Sequence, residues 1–442
     1  MSYPIPWCQI VNPHYCLILC ELDTRLLTCA FQRGTTWAPC VTQKGGEEVE
    51  YKIISTDDHL VEPPDVWTKR VPAAMKDKVP HIRDINGTPK WFVEDTQIAG
   101  VASNAGVAHQ DFGKDGVSDS YENMRPGGYD PKARLAELDQ DGVDASILFP
   151  NFGRFHGNPL ESVPDLGIRL ECIKAYNDWI VDEFCAVNPE RLIPLALIPP
   201  WDIELAKAES IRCAKKGHKG LVHGMAPDIF GYPGSWEHYW NPFWATAQDL
   251  DVPVVFHQIS ATMDRAIFQK GAGVLGGVGQ MHGSHRGAKI PGSMRAANIV
   301  AHVSSLINPL AELLMGGVLE RFPKMRVVLA EGGVSWLPYV LNQADYVGER
   351  QKYTDGSWEL KMLPSDYWKR QCASGFWSDL ISPNLLEDVG EHTVMWEGDY
   401  PHGILTWPDS KTIIEKSMRR VTDESQRHKI LAANAMRMFN LG

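Results

Sequence analysis

The 442-residue chain contains no CxxC pair, no run of lysine and arginine, and no apolar stretch of membrane-spanning length. Without CxxC spacing its nine cysteines fit no common zinc module, although five of them (Cys8, Cys16, Cys20, Cys29 and Cys40) fall in the first forty residues. A formal charge of -12 with no basic cluster argues against a nucleic-acid partner. The lack of a long apolar run argues against a spanning helix. The first stretch also lacks the cationic start and cleavable end of a secretory signal, so a reducing cytoplasm is the expected compartment. What is present, 44% hydrophobic and 22% charged residues, is ordinary globular material long enough to bury a large core.

Residues 1 to 50 carry no sustained periodicity, and Lys44-Gly45-Gly46-Glu47-Glu48 reads as a flexible joint. This stretch is expected to be a poorly ordered extension, of the kind an early start codon would add. Ile53-Ile54-Ser55-Thr56-Asp57-Asp58-His59 then forms an apolar strand running into acids and a histidine, stopped by Pro63-Pro64. Residues 65 to 130 mix Pro, Gly, Asp and short apolar patches, the pattern of an insertion folded over a site. From Pro131 helix and buried strand alternate to the C-terminus. Apolar runs at 143–150, 192–198, 220–223, 252–257, 326–333, 371–376 and 393–402 read as strands. Helices are predicted between them, including 203–216 with Asp202 as N-cap, one that Asn241 caps and Pro242 opens, 306–321 and 337–349. The Gly-rich segment 266–291, carrying His282 and His285, is expected to be a long loop after the fifth strand.

Eight strand–helix units predict an α/β fold, a closed (β/α)8 TIM-like barrel in which functional groups sit at the C-terminal strand ends. The polar residues that end the apolar runs are Asp57, Asp58, His59, His223, His257, Glu331 and Asp399. A doubly wound open sheet is the rival fold, but no Gly-rich phosphate fingerprint follows the first strand. In a strand, residues i and i+2 share a face, so Asp57 and His59 can grip one ion together. Adding His257 and Asp399 gives a His/carboxylate set suited to one divalent cation, zinc first and manganese second. Such an ion lowers the pKa of bound water from ~15.7 towards ~7. Asp399 could touch both the ion and that water.

These strand ends, in this order, resemble the amidohydrolase-related (amidohydrolase 2) family of metal-dependent barrels, which includes α-amino-β-carboxymuconate-semialdehyde and resorcylate decarboxylases. The resemblance runs from Tyr51 to Leu441 and rests on Asp57-Asp58-His59, Val252 to His257, Arg321-Phe322-Pro323 through Glu331-Gly332-Gly333, and Gly398-Asp399-Tyr400-Pro401-His402. It implies Asp57, His59, His257 and Asp399 as metal ligands. Where most relatives carry a histidine after the sixth strand, commonly the proton carrier in decarboxylation, this chain has Glu331. The resemblance therefore implies that Glu331 takes over as acid, base or ligand, or that His302 swings in.

Other residues are expected at the margin of the site. Asn151 and Arg154, beyond the second strand, are placed to meet a polar or anionic part of a substrate, His223 to line the pocket, and His402 to touch substrate or support a ligand. Trp236, Tyr239, Trp240, Trp244 and Trp336 are expected in the core. The leading expectation is a metal-dependent hydrolase of a small cyclic or aromatic molecule, with non-oxidative decarboxylation of an aromatic acid as its alternative on the same scaffold. A metal-free binding protein is the alternative from another class. A small-molecule substrate, no nucleic acid and no membrane are expected, and a homodimer is one assembly the resemblance allows. Deleting residues 1 to 48 is expected to leave activity and metal content intact, and loss of fold on that truncation would show the segment to be structural.

Overall fold

Runs of Ile, Val and Leu without polar alternation pair here as one parallel sheet, as expected of strands covered on both faces. The computed structural model describes residues 50–101, 120–151, 159–224, 227–258, 304–353, 360–402 and 406–442, with four backbone strands within residues 9–43. Two compact units result, Met1–Glu50 and Tyr51–Leu441. In the second, β1 (Ile54–His59), β2 (Ala145–Phe149), β3 (Leu192–Leu197), β4 (Gly220–Val222), β5 (Val254–His257), β6 (Val327–Ala330), β7 (Cys372–Phe376) and β8 (Val394–Trp396) follow one another in sequence order. Every neighbouring pair is parallel.

The two ends of that order meet. Thr56 Oγ1 donates to the Trp396 carbonyl (3.1 Å), the Gly398 N–H to Ser55 Oγ (2.8 Å), the Asp399 N–H to the Asp57 carbonyl (2.8 Å) and the His59 N–H to the Tyr400 carbonyl (2.5 Å). These bonds join β8 to β1 and make the sheet a barrel.

Helices α1 (Pro131–Asp141), α2 (Leu166–Trp179), α3 (Ile203–Lys216), α4 (Asn241–Leu250), α5 (Ser304–Met315) and α6 (Leu337–Gln351) lie between strands. Asp130, Asp165 and Asp202 accept the first free N–H groups of α1, α2 and α3. Asn241 departs from its predicted capping role. It is the first helical residue of α4, and its side chain instead meets His238 Nδ1 (3.1 Å) and accepts from Arg321 Nε (3.2 Å). The predicted helix 306–321 is also interrupted, because Gly317 takes φ 72 after Met315 and only a short turn, Val318–Arg321, follows. Among the described residues no helix is long and apolar enough to cross a membrane.

Leu148, Leu221, Val254, Phe256, Val327 and Leu329 share one core cluster with Phe243 and Trp244 of α4 and Leu306 and Leu310 of α5. Strand alternation turns the intervening residues, Phe149, Val255 and His257 among them, to the barrel interior. The insertion contributes a three-stranded antiparallel sheet, His81–Ile85, Thr88–Val93 and Thr96–Gly100. It shares the barrel's core, with Trp67 Nε1 donating to the Cys172 carbonyl of α2 (3.1 Å) and the Trp67 ring 5.1 Å from Trp91. In the first unit, Gln9–Asn12, Tyr15–Leu22, Arg25–Phe31 and Val41–Gln43 pair as an antiparallel sheet. Regular backbone thus appears where no periodicity was read, because a run such as Tyr15 to Cys20 is apolar throughout and carries no period-2 signal. The segment 266–291 lies outside the described residues.

β1 carries one extra residue, since Ser55 pairs with Ser146 but Asp58 with Leu148. The bulge places the Asp58 carboxylate where it accepts from Ser55 Oγ (2.9 Å), the Tyr400 N–H (2.9 Å) and Ser146 Oγ. Arg134 of α1 is buried beside it, donates to the Gly127 carbonyl (2.7 Å) and the His59 carbonyl, and lies 4.2 Å over the Tyr400 ring. Burial raises the Asp58 pKa, and the Arg134 charge and these hydrogen bonds hold the rise back. Arg134→Met leaves that acid buried without its cation and is expected to lower stability by about 3–5 kcal/mol. An unchanged urea midpoint would show that the barrel does not depend on this pairing.

Candidate metal and active site

The C-terminal ends of β1, β5 and β6 bring four sequence-nominated residues, Asp57, His59, His257 and Glu331, into one cluster, and Asp399 follows β8 beside it. Asp57 sits between the two imidazoles, with Oδ1 3.4 Å from His59 Nε2 and Oδ2 3.4 Å from His257 Nε2. The two Nε2 atoms are 3.1 Å apart, and Glu331 Oε2 is 3.3 Å from His257 Nε2. Donors held about 2.1 Å from one ion in a tetrahedral array stand about 3.4 Å from one another. The observed edges therefore match a coordination shell.

Other features of the donors agree. His257 Nδ1 donates to the Gln258 carbonyl (2.8 Å), which leaves the Nε2 lone pair aimed at the cluster. Both Asp57 oxygens are buried, and neither receives a hydrogen bond from a described residue. Burial pushes the Asp57 carboxyl well up, and the negative charges of Glu397, Asp399, Glu331 and Asp58 push it further. A divalent cation would reverse both effects. These residues fit one such ion.

Asp399 and His402 form the neighbouring part of the site. His402 Nδ1 is 3.0 Å from Asp399 Oδ1 and 3.1 Å from Oδ2, and its ring stacks on His59 at 4.2 Å. Asp399 Oδ1 is also 3.6 Å from His59 Nε2. Depth divides the set. Side chains of Asp57, His59 and His257 are 0% exposed, whereas Glu331 keeps 8%, Asp399 5% and His402 10%. The first three are closed to solvent, and the last three keep a small exposed fraction.

Both rim acids sit on left-handed backbone, Glu331 at φ 55 and Asp399 at φ 58. This conformation costs a non-glycine residue about 1–2 kcal/mol, and the surroundings hold it. The Glu331 N–H donates to Glu397 Oε2 (3.2 Å), Asp379 accepts from the Val334 and Ser335 N–H groups (3.0 and 2.8 Å), Ser374 Oγ donates to the Gly333 carbonyl (3.1 Å), and Trp336 Nε1 donates to the Gly332 carbonyl (2.8 Å).

Glu397 and Asp379 were not singled out from the sequence. Glu397 is fully buried inside the barrel, and any side chain at Gly375 would collide with its carboxylate. Its position two residues before Asp399, alternating with the outward Trp396, is the signal that could have found it.

His223 is placed elsewhere. Its ring packs against Trp240, Phe243, Trp244 and Phe256 at 4.7–5.6 Å, on the same outward face as Leu221, and burial lowers its pKa to about 4. It is thus a neutral ring in the aromatic layer under α4, away from the His59–His257 cluster. Trp240 and Trp244 are buried in that layer as expected, while Trp236 and Tyr239 are 38% and 36% exposed. Asn151 is buried just beyond β2, its Nδ2 3.5 Å from the Val101 carbonyl. Arg154 and His302, like His282 and His285, lie outside the described residues.

His257→Ala removes one of three fully buried donors and is expected to abolish activity and lower metal content, read by elemental analysis; full metal occupancy in the variant would exclude His257 as a ligand. The amidohydrolase family profile matches residues 65–441. A gamma-resorcylate decarboxylase of Rhodococcus jostii is 25% identical over 325 residues, 70% of this chain and 87% of the relative. Among solved structures, an amidohydrolase of Mycobacterium avium subsp. paratuberculosis superposes with a TM-score of 0.65 at 18% identity, over 89% of this chain and 100% of its own. A 5-carboxyvanillate decarboxylase of Novosphingobium aromaticivorans, complexed with manganese and 4-hydroxy-3-methoxy-5-nitrobenzoic acid, does so at 0.56 and 19% identity, over 90% and 98%. A profile match over most of the chain, on an eight-stranded barrel with its polar groups at the strand ends, makes this protein an enzyme of the amidohydrolase family.

Proposed function

We propose that the protein is a metal-dependent, non-oxidative decarboxylase of a small hydroxylated aromatic carboxylic acid. The observation that carries this reading is the match to a gamma-resorcylate decarboxylase over nearly that relative's full length. Hydrolysis, placed first on sequence grounds, yields to the decarboxylation that stood beside it. Asp57, His59 and His257 would hold a divalent ion, which would supply positive charge for an anionic substrate and for charge developing on it. Manganese is proposed ahead of zinc because the donor set is rich in carboxylates and a solved neighbour carries manganese.

Asp399 is the proposed proton carrier. It stands at the rim, and His402 Nδ1 orients its carboxyl group. Delivery of its proton to the ring carbon bearing the carboxylate forms a C–H bond; the C–C bond to the carboxylate then breaks, its electron pair returns to the ring, and CO2 leaves. His402 Nδ1 is placed to return a proton to Asp399. Asn151 is proposed to meet a polar substituent of the substrate and Arg154 an anionic one. His302 is kept as a second candidate proton carrier, and His223 is proposed only as a packing residue. The compartment proposed is the cytoplasm, in keeping with Cys172, Cys185, Cys213 and Cys372, all buried free thiols.

Manganese-loaded protein given a panel of hydroxybenzoates in D2O is expected to release one CO2 per turnover and to place one deuterium at the vacated carbon. Asp399→Asn is expected to slow this by about 10²–10⁴-fold. Cleavage of esters or amides without CO2 would restore the hydrolytic reading, and absence of stoichiometric metal with unchanged stability in chelator would favour a binding protein.

A further inference from the structure

Two aromatic residues that follow β8, Tyr400 and Trp407, both fasten to one residue of α1. The Tyr400 hydroxyl donates to Glu137 Oε2, and Trp407 Nε1 donates to the Glu137 carbonyl (3.1 Å). Burial raises the Tyr400 pKa, so the hydroxyl keeps its proton and acts as the donor. The two rings lie 6.2 Å apart at 73°. Arg125, near the end of the insertion, closes the group. Its guanidinium lies 3.8 Å over the Trp407 ring, and Nη1 is 3.7 Å from Glu137 Oε1. Gly127 packs so tightly beside them that any side chain there would collide with the Tyr400 hydroxyl and the Glu137 carboxylate.

Tyr400 is the residue between Asp399 and the Pro401-His402 pair, and its main chain belongs to the frame of the site. Its N–H donates to Asp58 (2.9 Å), and its carbonyl accepts from the His59 N–H. Those bonds fasten the segment to β1 at the base of the ring. The hydroxyl, at the far end of the same rigid ring, adds a second point of attachment on α1. A ring held at both ends resists rotation of the backbone that carries Asp399 and His402, whose 3.0 and 3.1 Å contacts depend on that backbone. We infer that Glu137 is a positioning residue for Asp399 and His402, acting through the Tyr400 hydroxyl and the Trp407 indole, and that Arg125 ties the end of the insertion to the same point. The inference concerns where Asp399 stands, so it holds for a carboxylate that carries a proton and for one that touches an ion. Its kinetic test rests on the decarboxylase reading.

The test is steady-state decarboxylation by manganese-saturated full-length protein. Tyr400→Phe keeps the ring over Arg134 and removes only the hydroxyl, so folding is expected to survive. Its kcat is expected to fall about tenfold, with KM changed by less than about twofold. Glu137→Ala is expected to match that fall, and the double variant to lose no more than either single one, because the two side chains act through one bond. Glu137→Gln, whose amide oxygen still accepts from the hydroxyl, is expected to recover most of kcat. Unchanged kcat in both single variants, a loss confined to KM, losses that multiply in the double variant, or equal loss in Glu137→Gln and Glu137→Ala overturns the inference. If the wild-type protein releases no CO2, the decarboxylase reading falls and hydrogen exchange decides this one. Faster exchange of the Asp399 and Tyr400 N–H groups in Tyr400→Phe supports it, and an unchanged rate overturns it.

Discussion

Buried negative charge is the constraint on which the site depends. Asp57, Asp58, Glu331, Glu397 and Asp399 converge at the mouth of the barrel, each at most 6% exposed. An isolated carboxylate in such surroundings costs several kcal/mol or protonates. Separate partners answer this for most of them. Asp58 has Arg134, two hydroxyls and the Tyr400 N–H; Glu397 has the Glu331 N–H; Asp399 has His402. Asp57, between two imidazole nitrogens, is left facing the position a cation would take.

The same arrangement separates holding from reacting. The three donors at full depth are closed to solvent, while the acids with residual exposure sit on left-handed backbone at the ends of β6 and β8. Strained backbone at these two acids is the kind of local cost that a packed scaffold sustains where geometry matters. A single barrel end thus offers a buried His/carboxylate cluster and, beside it, the Asp399–His402 pair, the two parts that the proposed decarboxylation uses.

Much of this was legible in the sequence because a parallel barrel converts chain order into spatial convergence. Because five of the eight apolar runs end in polar residues, Asp57, His59, His257, Glu331 and Asp399 had to approach one another. His223 satisfied the same rule yet turned away, because it shares a strand face with Leu221 while His257 alternates with Phe256. One residue of register decides between the core and the mouth. Asn241 looked like a cap beside Pro242, but contacts with His238 and Arg321 drew its side chain elsewhere. The break at Gly317 and the sheet in residues 9–43 likewise depended on backbone preferences that periodicity does not record.

By itself the sequence determined the barrel and the strand ends whose histidines and carboxylates converge, because burial and alternation are local patterns that repeat along the chain. Only the tertiary structure decided which carboxylate stands closest to which imidazole, that Arg134 of α1 neutralises Asp58, and that Glu397 lies beneath Glu331 in space made by Gly375. Those relations join residues tens of positions apart in the chain. Closing the barrel, with the β1 bulge in place, is what sets them.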